Sequence, residues 1–388
     1  MWFGLQEILF NMFAVPTLRY SVIGSPEPPE PPLDKFSLQG EGGYSDYAYT
    51  FVDRGSAFFS LAERDGYIIP TSSSANAAKI KNINIGGNTY YYLENVLKIA
   101  SGNYNRAVIY KDGNVDYKSE STGNGSSYVR WIKDNLYNIA DIFCPSNYGH
   151  SITQLFLLNN GDLYAVDLEN NIQEKLLEKV DRILCKNPSH NCDIIVSQYD
   201  GTMYQAWVKG GGGDATNGVS LINGVNAYDL LFAYIGDPPW AKGVCYKADR
   251  KRVYKFILGG FHNIIGVEST PFLELTDPDE DFIHGTAHEF NSLLLTNKKI
   301  HHFHHNYYGS SISWTDPNYE EYTTYDFSNG LRFVSPTSYS VIVEAIDGYY
   351  ILNANYGPGN QLYTLSPPVA YPFYTALRAY LYPLRYSK

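Results

Sequence analysis

One form of segment recurs seven times along the chain: an apolar strand, a tight polar turn, then a strand rich in aromatic and β-branched residues. The copies read FFSLAERDGYII, RAVIYKDGNVDY, LFLLNNGDLYAV, DIIVSQYDGTMYQA, KGVCYKADRKRVYKF, SLLLTNKKIHHFH and SVIVEAIDGYYIL. Five of the turns carry Asp-Gly or Asn-Gly, at Asp65-Gly66, Asp112-Gly113, Asn160-Gly161, Asp200-Gly201 and Asp347-Gly348. These residues tolerate the positive φ that a two-residue hairpin turn demands. The other two turns use Ala248-Asp249-Arg250 and Asn297-Lys298. From Gly66 to Gly348 the mean spacing is 47 residues. Repetition at that period restricts the chain to arrays of one supersecondary unit, each burying its apolar face against the next.

A second feature recurs in register upstream of each turn. Apolar triplets lead into a small residue in LKIASG, DIFCPS, RILCKN, LLFAYI, DFIHGT and LRFVSP, the small positions being Ala100, Cys144, Cys185, Ala233, Gly285 and Ser335. Strands that converge on an axis leave room only for small side chains. With the 15 to 25 residues left over in each unit able to supply an outer strand, every unit has the size of a four-stranded blade of roughly 40 to 50 residues. The reading is all-β: a seven-bladed β-propeller with non-repeat N- and C-terminal extensions. The 36 tyrosines, 33 glycines and 20 prolines suit many short strands joined by turns. Helical windows are few, the main candidates being Tyr128–Tyr137 and Ile172–Val180, both between units.

The register resembles the repeat of the regulator-of-chromosome-condensation propellers. The matches are Ile99-Ala100-Ser101-Gly102 through Asp112-Gly113-Asn114-Val115, and Gly285-Thr286-Ala287-His288 through Leu293-Leu294-Leu295. The likeness spans about Tyr44 to Tyr363. The family's tryptophan-glycine hairpin ending and the Gly-Gln-Leu-Gly after it are missing, with Gly359-Asn360-Gln361-Leu362 a faint echo. The resemblance implies a protein-interaction platform and, in some members, nucleotide exchange on a small GTPase or chromatin contact. No exchange residue carries over to this chain.

Residues 1–38 form an N-terminal arm with a proline-rich linker, Pro26 to Pro32, which reads as stiff and extended. The repeat occupies 39–366, and 367–388 is an aromatic tail. Trp2, Phe3, Leu5 and Phe10 in the arm, and Tyr374, Tyr380 and Arg385 in the tail, are the candidate assembly tethers, because apolar and arginine-aromatic segments of this kind need a partner or close the ring. Met1 to Val15 lacks a basic n-region and makes a poor secretion signal, so a virion or cytoplasmic location is expected. Four cysteines without a C-x-x-C pair favour a reduced state.

A net charge of −11 opposes wrapping nucleic acid or lying on an anionic membrane. The densest metal-capable run is His301-His302-Phe303-His304-His305. On a strand His302 and His304 share a face, which makes them weak metal candidates, with no carboxylate or thiol at defined spacing to complete a site. Asp277 to Asp281 lacks the glycine and closing glutamate of a calcium loop, and Gly210 to Gly213 lacks the lysine of a phosphate loop. No nucleophile elbow appears, so neither catalysis nor a cofactor is expected. Trp207, Trp240, Trp314 and Tyr319, beside Asn and Asp, are candidates for stacking on sugar rings. The expected function is a structural interaction protein in a larger assembly, a virus or phage particle foremost, with other protein subunits as partners through the termini. The alternatives are a carbohydrate-binding, receptor-binding propeller with surface glycans as partners, and a small-GTPase regulator.

Overall fold

The computed structural model describes residues 51–53, 56–59, 81–85, 87–93, 95–101, 105–119, 125–145, 153–187, 193–209, 216–236, 241–260, 263–288, 291–305, 320–336, 340–355 and 364–371. By internal contacts the chain divides after Ser37, and all described elements lie in Leu38–Lys388. It is an all-β unit of antiparallel sheets, most of them four-stranded and of the form of propeller blades.

Sheet A contains β1 (Phe51–Asp53), β2 (Ser56–Phe59), β3 (Lys81–Ile85) and β4 (Asn88–Leu93) in the order β1-β2-β4-β3. Sheet B contains β5 (Val96–Ser101), β6 (Asn105–Tyr110) and β7 (Val115–Ser119). Sheet C runs β8 (Ile139–Phe143), β9 (Thr153–Leu158), β10 (Leu163–Asp167) and β11 (Ile172–Leu177). Sheet D runs β12 (Val180–Asn187), β13 (Asp193–Gln198), β14 (Thr202–Trp207) and β15 (Gly218–Asn226). Sheet E runs β16 (Leu230–Tyr234), β17 (Gly243–Tyr246), β18 (Asp249–Gly260) and β19 (Asn263–Glu274). Sheet F runs β20 (Phe282–His288), β21 (Asn291–Thr296), β22 (Lys299–His305) and β23 (Glu320–Asp326). Sheet G runs β24 (Gly330–Pro336), β25 (Ser340–Ala345), β26 (Gly348–Asn355) and β27 (Thr364–Leu365), with β28 (Val369–Ala370) also on β26.

Six of the seven expected hairpins form as β6-β7, β9-β10, β13-β14, β17-β18, β21-β22 and β25-β26. The triplet strands are the first strands of sheets B to G, each antiparallel to the second strand of its sheet. Gly113, Gly161, Gly201 and Gly348 all have positive φ, between 81° and 147°, the requirement that selected glycine after Asp or Asn.

Second strands read as unbroken apolar runs because sheets pack on both of their faces. In sheet C, Phe156 packs toward sheet B with Tyr117 and Ala107, while Leu155 and Leu157 pack toward sheet D with Ile183 and Val196. Equivalent clusters join D to E, E to F and F to G. Each fully buried Leu, Ile, Val or Phe in them stabilises by about 1.5–3 kcal/mol. The outer strand β11 is largely exposed, as a blade's edge should be.

Three expectations need correction. Residues 172–177 form β11, not a helix: with Ile172 outward, the segment pairs along β10, and sheet hydrogen bonding overrides its helical composition. Sheet B has three strands among the described residues, and α1 (Gly125–Asn135) packs against it in place of a fourth, burying Tyr128 and Ile132. Tyr128 meets Tyr117 edge-on at 5.9 Å. The seventh expected hairpin, around Asp65-Gly66, lies outside the described residues, and in sheet A β2 pairs with β1 on one edge and β4 on the other. The boundary after residue 366 cuts a sheet, because β28 pairs with Tyr350 and Ile351 of β26.

Candidate functional site

The two ends of the sheets are built differently. At one end the second and third strands of sheets B to G join through two to four residues. There the N–H groups of Lys111, Asn159, Tyr199, Lys247, Asn297 and Ile346 donate to the carbonyls of Asn95, Asn138, Lys179, Asp229, Asp281 and Asn329, just before each first strand, at 2.7–3.0 Å. Every one of those first strands carries a register shift after its first residue. This repeated latch and bulge position each hairpin turn against the strand entry beside it.

At the opposite end the connections run from two residues, 261–262, to fourteen, 306–319. Trp240, Trp314 and Tyr319 fall in those connections and lie outside the described residues, as do Trp2, Phe3, Leu5, Phe10, Tyr374, Tyr380 and Arg385. Trp207 ends β14 opposite Gly218, whose missing side chain makes room for the indole, so the ring is packed within its own sheet.

The histidine strand gives the best-organised titratable cluster. His301 is buried, and its Nε2 lies 3.0 Å from Glu280 Oε1, its Nδ1 2.6 Å from the Tyr322 hydroxyl. Thr296 Oγ1 donates to the same Glu280 oxygen at 2.7 Å. Burial would raise the Glu280 carboxyl, but the hydrogen bonds from Thr296 and His301 outweigh it and hold it below its ordinary value. An ionised carboxylate only accepts, so Nε2 carries the imidazole proton and Nδ1 accepts from the phenol. Burial lowers the His301 pKa in spite of Glu280. His302 faces the other way, fully buried, with Nε2 2.8 Å from Asn291 Oδ1. That nitrogen is already bonded, and the side chain of His304 lies outside the described set. Among the described residues no group of three His, Cys, Asp or Glu could hold a metal ion.

The acidic loop before β20 is organised around an ammonium group. Lys251 Nζ donates to the carbonyls of Pro278 at 2.7 Å, Glu280 at 2.5 Å and Asp277 at 3.4 Å, and lies 2.8 Å from Asp281 Oδ1. Lys298 pairs with Asp277 at 2.8 Å. The chain supplies its own cations to this loop.

Sequence reasoning missed the ionic links between sheets. Asp141 on β8 receives Lys98 from β5 at 2.6 Å and Lys186 from β12 at 2.9 Å. Burial works to raise its pKa, and the two lysines outweigh it and lower it. Lys209 reaches Asp167 at 2.8 Å. Asp193, fully buried, accepts from Asn187 at 3.1 Å and Gln205 at 2.5 Å and lies 3.4 Å from the equally buried Lys242 of the next sheet. Gln205 in turn accepts from the Ile264 N–H of β19 at 2.9 Å. The available signal was a charged residue inside or next to an apolar strand, as in DIF, CDIIV and AKGV. Such a residue must find a partner when the strand is buried.

No protein-family model and no curated protein matches the chain. Among solved structures it is similar to PorZ, a surface component of the type-IX secretion system of Porphyromonas gingivalis (12% identity over 86% of this chain, TM-score 0.42). The chain spans 38% of PorZ's length. It is also similar to Prp20p of Saccharomyces cerevisiae (12% identity, 71% of this chain and 77% of that one, TM-score 0.44).

Proposed function

We propose that the sheets close into a seven-bladed β-propeller that serves as a non-enzymatic interaction scaffold, engaging other proteins of an assembly. The observation that carries this reading is the contrast between the two sheet ends. One end repeats a single latched turn; the other presents connections of widely different length and sequence on the same rigid frame, the usual arrangement of a binding face. Closure is supported by sheet G, where Val341 and Val343 pack toward sheet F while Ile342, Glu344 and Tyr349 are also buried. A virus or phage particle is the setting we favour, on the strength of the tyrosine-rich, weakly charged composition. Light scattering on the full chain, and on the chain lacking residues 1–37, tests the tether role. Concentration-dependent association confined to the full chain is the expected result. Monomers in both cases, with selective binding on a glycan array, would replace it by the carbohydrate reading of Trp240, Trp314 and Tyr319.

A further inference from the structure

The Glu280, His301 and Tyr322 side chains stand in the order carboxylate, imidazole, hydroxyl, with both imidazole nitrogens bonded at 3.0 and 2.6 Å. That is the connectivity by which a hydroxyl is activated in nucleophilic catalysis, with a phenol in the place of the more familiar alcohol. The cluster is built rather than accidental. Glu280 is held from its other side by Thr296. The Tyr322 ring stacks on Phe303 at 4.7 Å and lies nearly parallel to the His301 ring, so the phenol cannot swing away without losing both contacts. Phe303 in turn packs on Phe272 at 4.7 Å, with the Lys255 ammonium 4.2 Å from the Phe272 centroid. Tyr322 lies on the outermost strand of sheet F and is 50% exposed, so the activated oxygen belongs to a residue that a solute can reach.

We propose that Tyr322 is a base-assisted nucleophile that accepts acyl groups from activated carboxylate esters. In the step, Tyr322 Oη forms a bond to the ester carbonyl carbon, and the phenolic proton passes to His301 Nδ1. The carbon–oxygen bond to the leaving group breaks, and the leaving alcohol or phenolate departs with the bonding pair. The product is an O-acyl tyrosine, and the imidazolium proton is returned to the leaving group or to water. Glu280 is the positioning residue, holding the tautomer whose Nδ1 is free of hydrogen and stabilising the imidazolium once formed. This site is independent of the scaffold reading and lies on sheet F's outer strand.

The protein carries its own controls, since Tyr137, Tyr199 and Tyr228 are 67%, 52% and 46% exposed. Tyr228 donates to a carbonyl of Tyr199, and Tyr137 to one of Asp134, neither a base. The full chain is treated with p-nitrophenyl acetate at neutral pH, nitrophenolate release is followed, and acetylated peptides are mapped. The expected result is a burst near one equivalent, with Tyr322 labelled at least about a hundredfold faster than the three controls, the low end of general-base assistance. Tyr322→Phe removes the burst, and His301→Gln brings Tyr322 down to or below the control rate.

A pH profile on the unaltered chain keeps the test decisive if His301→Gln fails to fold. Burial and Glu280 raise the Tyr322 pKa, so unassisted attack by free phenolate would be slowed at this residue. Base assistance makes it the fastest, with a rate that levels off above the His301 pKa. The charged groups acting on that imidazole are Glu280 and Lys299, and Tyr322 is its hydroxyl partner. Labelling no faster than Tyr137, or a rate unchanged in a folded His301→Gln chain, overturns the proposal.

Discussion

Sheet D shows the two ends of one blade under different rules. At its turn end Gly201 has a φ of 86° and abuts the Asn226 side chain, and Tyr199 N–H latches to Lys179, as in five other sheets. At its loop end the Asp193 carboxylate is buried among Asn187, Gln205 and Lys242, an arrangement particular to the junction with sheet E. Order at the turn end comes from backbone geometry that any blade can repeat. At the loop end it comes from individually matched side chains, which leaves the connections beyond them free to vary.

The largest expected effect tests the loop end. Asp193→Ala leaves Lys242 buried without its carboxylate, and chemical denaturation should report a loss of about 3–5 kcal/mol. A loss below 1 kcal/mol would mean that the pair contributes little. Gly201→Val combines left-handed backbone strain with a clash against Asn226 and should cost about 2–4 kcal/mol. Gly113, with φ 81° and open space around its missing Cβ, is the matched control: Gly113→Ala should cost only about 1–2 kcal/mol, the backbone term alone. Equal losses at the two glycines would remove packing from the account of the turn end.

Asp141→Asn is expected to cost about 2 kcal/mol at neutral pH. The folded pKa of Asp141 is lowered, so its contribution is present above the ordinary carboxylate range and disappears as pH falls below about 4. Acid titrations of the two chains should therefore converge at low pH; parallel curves would contradict the assignment. The smallest effect belongs to the connections: four glycines inserted after Gly211 should change stability by no more than about 0.6 kcal/mol, because loop-closure entropy grows slowly with length. An insertion as damaging as Asp193→Ala would erase the distinction between the ends.

Of the candidate site, the histidine run was visible as a strand whose neighbours alternate in facing, and His301 and His302 do point to opposite sides. What made His301 chemically organised was not visible. Glu280 lies 21 residues before it and Tyr322 21 residues after it, and they meet only because β20, β22 and β23 share a sheet. The fourth-strand segments were the least legible for a related reason. An exposed outer strand has no required pattern of its own, so residues 172–177 carried helix formers into β11.

Local residue pattern was enough to specify the repeating hairpins, their Asp-Gly and Asn-Gly turns, the small residues of the first strands and the continuous apolar second strands. Each of these answers to a local requirement, a positive φ or burial on both faces, that a few adjacent residues satisfy. Long-range packing set α1 against the three described strands of sheet B, joined β28 to β26, brought Lys251 into the acidic loop, and gave Asp141 two lysines from different sheets. Those outcomes depend on which groups arrive from distant parts of the chain, and a buried charge takes whichever partner the packing brings within reach.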